Sequence, residues 1–188
     1  MAVVNTVAAS IAATLQVQLA KAEDGCTATI GGVTTTLPAI TDPSNSVNLS
    51  NAIALVNGVA GAGNVNKAFT AQRPALPTTT SESFDLTGNA SFVNCFGDEI
   101  DMTYLKAIFI INQSTTNSLI IGGANNVPFL STAGTVTIRP GGALLLFTGL
   151  ADATGYPVTN STGDLITVTA GAIDATAVPY QIILLGVG

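Results

Sequence analysis

The sequence predicts an all-β protein: an antiparallel β-sandwich, jelly-roll-like, with an extended N-terminal arm. Residues 135–139 show one basis for this prediction, because Val136 and Ile138 alternate with polar side chains, as in a half-buried strand. Residues 140–142 (Pro-Gly-Gly) then end the strand, since proline lacks an amide donor and glycine accepts positive φ. Turn signals of this kind recur roughly every ten residues, which favours a sandwich or jelly roll over a parallel fold. No repeat of fixed period is visible, which argues against a propeller or a β-helix.

Short segments with strand-like patterns, roughly seven or eight of them, follow residue 80. The polar loop 113–117 suits an antiparallel hairpin that returns residues 104–112 into residues 118–121. The continuous apolar run 143–147 predicts a buried strand. The full set comprises residues 83–86, 104–112, 118–121, 135–139, 143–147, 155–159, 164–169 and 178–187.

Residues 1–79 are predicted to be an arm or attachment region with short strands, and residues 80–188 the sandwich. The boundary falls in residues 71–80, an extended connector with two prolines. Two readings stay open for residues 4–19, an extended segment of period two, which we favour, or an alanine-rich helix. Residues 27–36 read as a short hairpin, and residues 48–60 as either a helix or a strand and turn.

Composition argues against several kinds of function. Apolar residues make up 47% of the chain and charged residues only 9%, where about a quarter is usual, so Thr, Ser, Asn and Gly must cover the surface. Such a surface suits a protein that is buried in an assembly or one that works outside the cell. The net charge is −6, and the basic residues are too scattered to bind nucleic acid or a membrane surface. No apolar stretch reaches membrane-spanning length and no secretory leader is expected. The basic residues are Lys21, Lys67, Arg73, Lys106 and Arg139.

Catalytic chemistry finds little support in the sequence. The chain has no histidine to serve as a base, and its lysines lack the context of a Ser-Lys dyad, so no enzymatic activity, catalytic residue or cofactor is expected. Cys26 and Cys95 lack the spacing of a zinc site, so no metal is expected either. Two buried free thiols are favoured over a disulfide between them.

Carboxylates gather in only one place, residues 96–101. A Ca²⁺ loop is one reading, but the spacing does not match an EF-hand, and a solvated turn before the strand at 104–112 is favoured. Asp152 and Asp164 are weak candidates for an acid-base pair, and Asp164 is expected to bond within its own turn instead. Arg139 is interpreted as a charge that protects a strand edge.

Several segments, in their order along the chain, carry a resemblance to a known family: 66–73, 83–86, 96–97, 105–108, 117–123, 136–142, 155–159, 163–165 and 180–186. Through them the chain resembles the small β-rich virion proteins of tailed bacteriophages from about residue 60 onward. The resemblance implies a capsid decoration (cement) protein that binds the major capsid protein and forms a homotrimer. It further implies a product made in the host cytoplasm, located on the capsid surface and without catalytic residues.

Three functional hypotheses follow from the sequence. A structural virion protein fits the low charge and the strand pattern best. The alternative is a tail-fibre or receptor-binding tip module that holds a host-surface glycan in loops such as 124–128, although few aromatic residues are available to stack on sugars. A Ca²⁺-dependent hydrolase ranks third.

Overall fold

A computed structural model describes the backbone of residues 9–17, 20–21, 27–30, 33–36, 40–41, 47–88, 92–94, 97–130 and 134–188. Side chains are described from residue 54 onward within those ranges. The chain forms two compact units, one made of residues 10–53 and one that contains residues 54–188.

Within the described residues the regular structure consists of strands, without a helix. In the unit 10–53, the antiparallel pairs are β2 with β5 and β3 with β4, and β1 neighbours β6. The strands are β1 (Ala9–Val17), β2 (Ala20–Lys21), β3 (Thr27–Ile30), β4 (Val33–Thr36), β5 (Ile40–Thr41), β6 (Val47–Asn57), β7 (Asn64–Val65), β8 (Lys67–Leu76), β9 (Ser81–Asp85), β10 (Tyr104–Asn112), β11 (Leu119–Gly122), β12 (Thr135–Ile138), β13 (Ala143–Phe147), β14 (Tyr156–Pro157), β15 (Leu165–Ala170) and β16 (Val178–Val187).

The larger unit is a sandwich of two antiparallel sheets. Sheet A has the order β13-β10-β16-β8, with the short β14 also paired to β10. Sheet B has the order β12-β11-β15-β9. Successive strands cross from one sheet to the other, except that β11 and β12 are neighbours in sheet B, and β13 and β14 both join β10. This order is that of a jelly roll.

The core lies between the two sheets, because alternate residues of each strand point inward. Sheet A contributes Ile108, Ile110 and Ile182, which are at most 1% exposed, and sheet B contributes Ile121 and Ile166, which are fully buried. Aromatic rings close one side of this core. The ring of Phe69 on β8 lies 5.3 Å from that of Phe84 on β9 and 4.5 Å from that of Phe92, centroid to centroid.

Buried amides fix the loops at one end of the sandwich. Asn112, at the end of β10, donates from Nδ2 to the backbone carbonyls of Asn117, Ile138 and Arg139. Asn117 receives backbone N–H groups from Ile173 and Asp174 on its Oδ1. Both asparagines are fully buried, so these bonds replace the water that the side chains lose on folding.

The all-β, antiparallel sandwich predicted from the sequence is confirmed. The strands at 104–112 and 178–187 match β10 and β16 residue for residue. Two alternatives left open by the sequence are resolved. Residues 9–17 form the strand β1 and not a helix, and residues 47–57 form the strand β6. The hairpin at 27–36 is present as β3 and β4, with Ile30 opposite Val33. The possible pairing of Cys26 with Cys95 lies outside the described residues.

Two predictions about strand pairing and burial are wrong. Residues 104–112 and 118–121 do not form a hairpin, because β10 lies in sheet A and β11 lies in sheet B. The loop between them crosses the sandwich, which a polar loop of that length can also do. Residues 143–147 are not a buried strand either, since β13 is an edge strand whose residues are half-buried or exposed.

The domain boundary predicted at residues 79 and 80 does not separate the sandwich from what precedes it. The strand β8, which precedes residue 80, pairs with β16 over most of its length. Its proline, Pro74, lies at a register shift in an edge strand, where the missing N–H is tolerated. The prolines that suggested a connector therefore lie within and directly after a strand of the sandwich.

Candidate interaction surface

The outer face of sheet A is set by the alternation of its strands. In β10, Ile108 and Ile110 belong to the core, so Phe109 and Ile111 lie on the opposite face. The side chains of Leu144 and Leu146 in β13 pack against the core in the same way. The apolar runs of β10 and β13 thus place apolar side chains on both faces of sheet A, and sheet B covers one of these faces.

Strand register aligns the outward residues of sheet A into three rows across four strands. None of these side chains is charged, and the polar ones lie toward β8. We call this set the outer face of sheet A: Phe147, Ala107, Leu185 and Ala68; Leu145, Phe109, Ile183 and Thr70; and Ala143, Ile111, Gln181 and Gln72.

Exposure differs along this face. Ala107 and Leu185, in the first row, are 4% and 7% exposed, whereas Ile183 in the middle row is 38% exposed. Phe109 and Leu145, beside Ile183, are half-buried. The open part of the outer face is therefore its middle and third rows, where large apolar side chains meet solvent.

The outer face of sheet B has the opposite character. Ser81 and Thr169 share a hydrogen bond of 2.8 Å between their hydroxyls, and Ser83 and Thr167 share one of 3.0 Å. Thr137, on the edge strand β12, is exposed. One face of the sandwich is thus lined largely by hydroxyl groups and the other by apolar side chains.

An ion pair and a tyrosine join the edges of the two sheets. Arg73 of β8 donates from Nε and Nη2 to Oε1 of Glu82 on β9, at 2.8 and 2.6 Å. The hydroxyl of Tyr180 on β16 donates to the other oxygen of Glu82 at 2.5 Å. Burial and the Glu82 carboxylate raise the pKa of Tyr180 far above its usual value, and the hydrogen bond to Glu82 raises the pKa of Arg73.

Beside this cluster lies a shallow cleft of about 240 Å³ between β8 and β9. Its walls include Phe69, Phe84 and Phe92, and its polar groups include Arg73 and Asp85. The three rings are at most 7% exposed, so they offer almost no face on which a sugar could stack. The cleft is smaller than the usual small-molecule site.

Lys106 is buried, and among the described residues no carboxylate lies at hydrogen-bond distance from its ammonium group. It is 1% exposed, and its Nζ donates to the backbone carbonyls of Ala153 and Asp152 at 2.9 and 3.3 Å. Burial lowers the pKa of this ammonium group, and the charge of Asp152 partly opposes that shift. The lysine thereby ties the loop after β13 to β10.

The acidic stretch 96–101 forms an exposed turn in its described part. Asp98, Glu99 and Asp101 are all exposed, and Asp98 exchanges hydrogen bonds with Asn94. The described residues contain no group of three or more acids or cysteines placed to hold a metal ion. Phe96 lies outside the described residues.

Asp152 and Asp164 each serve their own turn. Asp152 Oδ1 accepts the N–H groups of Thr154 and Gly155, and these bonds lower the pKa of Asp152. Asp164 is 5% exposed and accepts the N–H of Ser161 at 2.6 Å, as the turn chemistry predicted. Each carboxylate thus accepts backbone N–H groups of its own turn.

Two further candidates from the sequence are the loop 124–128 and Arg139. In the loop 124–128, Asn126 accepts the N–H of Thr167 on its Oδ1, and Val127 is fully buried. Ala124, Asn125 and Pro128 of this loop are exposed. Arg139 is exposed and directly follows the edge strand β12, which suits the predicted protection of that edge.

Sequence reasoning did not find the outer face of sheet A as a site. The available signal was the continuous run of apolar residues in β10, where strict alternation would be expected for a strand with one solvated face. The partners of Lys106 and Tyr180 gave no local signal, because they lie far along the chain.

Comparison with known proteins adds no family assignment. Among the described residues, no helix has the length and apolar character needed to cross a membrane. Comparisons of the chain with protein-family models, with curated proteins and with solved structures gave no match.

Proposed function

We propose that the protein is a structural subunit of a virion, of the kind that decorates the capsid of a tailed bacteriophage. The observation that carries the proposal is the outer face of sheet A, an apolar surface without a charged side chain. In this proposal the face binds the major capsid protein, and the protein acts by adding contacts to the shell.

The size of the face supports a protein contact. Strands lie about 4.8 Å apart, and residues on one face repeat about every 6.8 Å, so the two open rows across four strands cover on the order of 260 Å². A standard interface covers about 800 Å² on each partner, and its centre is the most apolar part. The open part of the outer face of sheet A therefore has the composition of an interface core and about a third of the area of a standard contact.

The charge distribution supports the same use. Burying the outer face removes no charge from water, so docking carries no penalty for desolvating unpaired ions. The hydroxyl-lined face of sheet B can stay hydrated while the opposite face is covered. Such a two-sided molecule suits a position on the surface of a shell.

Resemblance to phage virion proteins supplies the specific form of the proposal. It supports binding to the major capsid protein, three copies in each assembly and a location on the capsid surface. A stabilising contact of this kind needs no catalytic residue or cofactor.

Binding to phage heads tests the proposal. The probe is heads purified from the phage that encodes the chain, and the measurement is co-sedimentation with added protein. We expect Ile183→Asp to weaken binding about tenfold or more, because it places a charge in the centre of the apolar face. Thr137→Asp, on the edge of sheet B, is the matched control and should bind as the unaltered protein does. An unaltered chain that stays monomeric and fails to co-sediment with heads would overturn the proposal.

A further inference from the structure

We infer that β13 pairs edge to edge with β13 of a second copy, so that two copies of sheet A form one continuous antiparallel sheet. This inference rests on the proposed function for its setting and names a contact between copies.

Within the described residues, no strand pairs with the side of β13 that faces away from β10. The N–H of Asn112 donates to the carbonyl of Gly142, and the N–H of Thr148 donates to the carbonyl of Lys106, both at 2.9 Å. Because backbone direction alternates along a strand, residues 142, 144, 146 and 148 face β10. The N–H and C=O groups of Ala143, Leu145 and Phe147 consequently point away from β10, toward the free edge of the sheet.

The other three edges of the sandwich carry features that discourage pairing. The edge strand β8 contains Arg73 and a proline at a bulge, and β9 contains Glu82 and Asp85. The edge strand β12 has only four residues and is followed directly by Arg139. Charges, prolines, bulges and short length are the usual means of blocking an edge.

β13 is almost as short as β12 but lacks the other protective features. Its five residues, Ala-Leu-Leu-Leu-Phe, include no charge and no proline. When a second copy of β13 pairs with the first, no like charges lie opposite each other. A partner strand with charged side chains would instead place unpaired charges beside leucine side chains. The chemistry of the edge therefore favours another copy of itself as the occupant.

A two-fold axis beside Leu145 satisfies every free backbone group of the strand. Leu145 then lies opposite Leu145 of the second copy, and Ala143 lies opposite Phe147 of the second copy, with about six hydrogen bonds in all. The outward side chains of β13 belong to the outer face of sheet A, so pairing joins two apolar faces into one of double width. Three-fold association, where it occurs, uses surfaces other than this edge.

A contact of five residues is small, so we expect a weak dimer that dissociates on dilution. Weak pairing becomes effective on a shell, where the first docked contact raises the local concentration of the second. The edge contact would then reinforce docking through the doubled outer face.

Sedimentation equilibrium of the full chain over a wide range of concentration tests the inference. The unaltered protein should shift from monomer to dimer as its concentration rises. Leu145→Lys and Leu145→Glu should each weaken dimerisation by about tenfold or more, because like charges face each other across the axis. An equal mixture of the two variants should recover the dimer through a Lys-Glu pair. Thr137→Lys, on the edge strand β12, is the matched control and should leave the dimer unchanged.

Ala143→Lys provides a second variant at an exposed position, with circular dichroism to confirm that it is folded. It should weaken the dimer too, whereas Ile183→Asp, away from the edge, should keep it. An unaltered chain that stays monomeric, or a dimer that Ala143→Lys leaves intact, would overturn the inference. A protein that binds heads but never forms this dimer would support the proposed function and contradict the edge pairing. A protein that dimerises through β13 but does not bind heads would support the edge pairing and contradict the proposed function.

Discussion

Tyr180 and Glu82 are 98 residues apart in the chain, and the tyrosine hydroxyl donates to the glutamate carboxylate at 2.5 Å. Tyr180 belongs to sheet A and Glu82 to sheet B, so this bond connects the two layers of the sandwich. Arg73 holds the same carboxylate from β8. Because Tyr180 is fully buried while the Arg73–Glu82 pair is partly exposed, the tyrosine bond should contribute more to stability than the ion pair.

Tyr180→Phe should destabilise the protein by about 1.5 to 3 kcal/mol, the range for a hydrogen bond to a charged group. The ring stays in place and no cavity forms, so the loss reports the hydroxyl alone. The free energy of unfolding in urea measures it. Tyr156→Phe is the matched control, since that hydroxyl has no hydrogen bond within the described part of the chain; a loss as large for the control would contradict the assignment.

Alkaline pH should weaken the native state through the same tyrosine. The native pKa of Tyr180 lies above the unfolded value of about 10, chiefly because of burial. Above that pH the unfolded chain binds fewer protons than the native one, so the free energy of unfolding falls as pH rises, by at most about 1.4 kcal/mol per unit from this group. The stability difference between the unaltered protein and Tyr180→Phe should therefore narrow above about pH 10. A constant difference across urea titrations from neutral to alkaline pH would refute this prediction.

Asn117→Ala should loosen the loop before β16. The Asn117 amide is fully buried, donates to Asp174 Oδ1 at 2.8 Å and to the Thr176 carbonyl at 2.6 Å, and accepts two backbone N–H groups. Its removal leaves these groups without their partner, which should cost about 2 to 4 kcal/mol.

Hydrogen exchange gives the specific readout for that variant, because the amides of Ile173 and Asp174 should lose protection first. Asn160→Ala, at an exposed position, serves as the control and should change stability by less than about 0.5 kcal/mol. Unchanged protection at Ile173 would show that the loop is held by other contacts.

The strands could be predicted from the sequence because their signals are local. Alternation in β12 and the apolar runs of β10 and β16 mark each segment without knowledge of its neighbours. Pairing is not local. The polar loop after β10 fits either a hairpin or a crossing between sheets. In the structure β13 and β16 occupy the two edges of β10, so β11 pairs in the other sheet.

Burial and contacts at the surface were harder to predict for a related reason. An apolar run predicts a strand covered on both faces, yet in β13 it marks an edge strand whose outer face stays open. Pro74 suggested a connector because proline is unusual inside a strand. It is tolerated here at a bulge, and the bulge arises from the pairing of β8 with β16, which the local sequence does not reveal. Tyr180 and Lys106 have hydrogen-bond partners that are distant in sequence, so no spacing could have revealed them.

Gly155→Ala should destabilise the turn that Lys106 anchors. Gly155 has φ +96°, and a Cβ there would lie 2.7 Å from the carbonyl oxygen of Leu105 and 3.0 Å from Cδ of Lys106. Gly141, with φ +70° and open space around the same position, is the matched control. Gly141→Ala should cost about 1 kcal/mol for its backbone conformation alone, whereas Gly155→Ala should cost about 1 to 3 kcal/mol more, because either the backbone of β10 or the lysine must move. Urea denaturation of both variants measures the difference, and equal losses would mean that the turn after β13 can shift away from β10 without straining the sandwich.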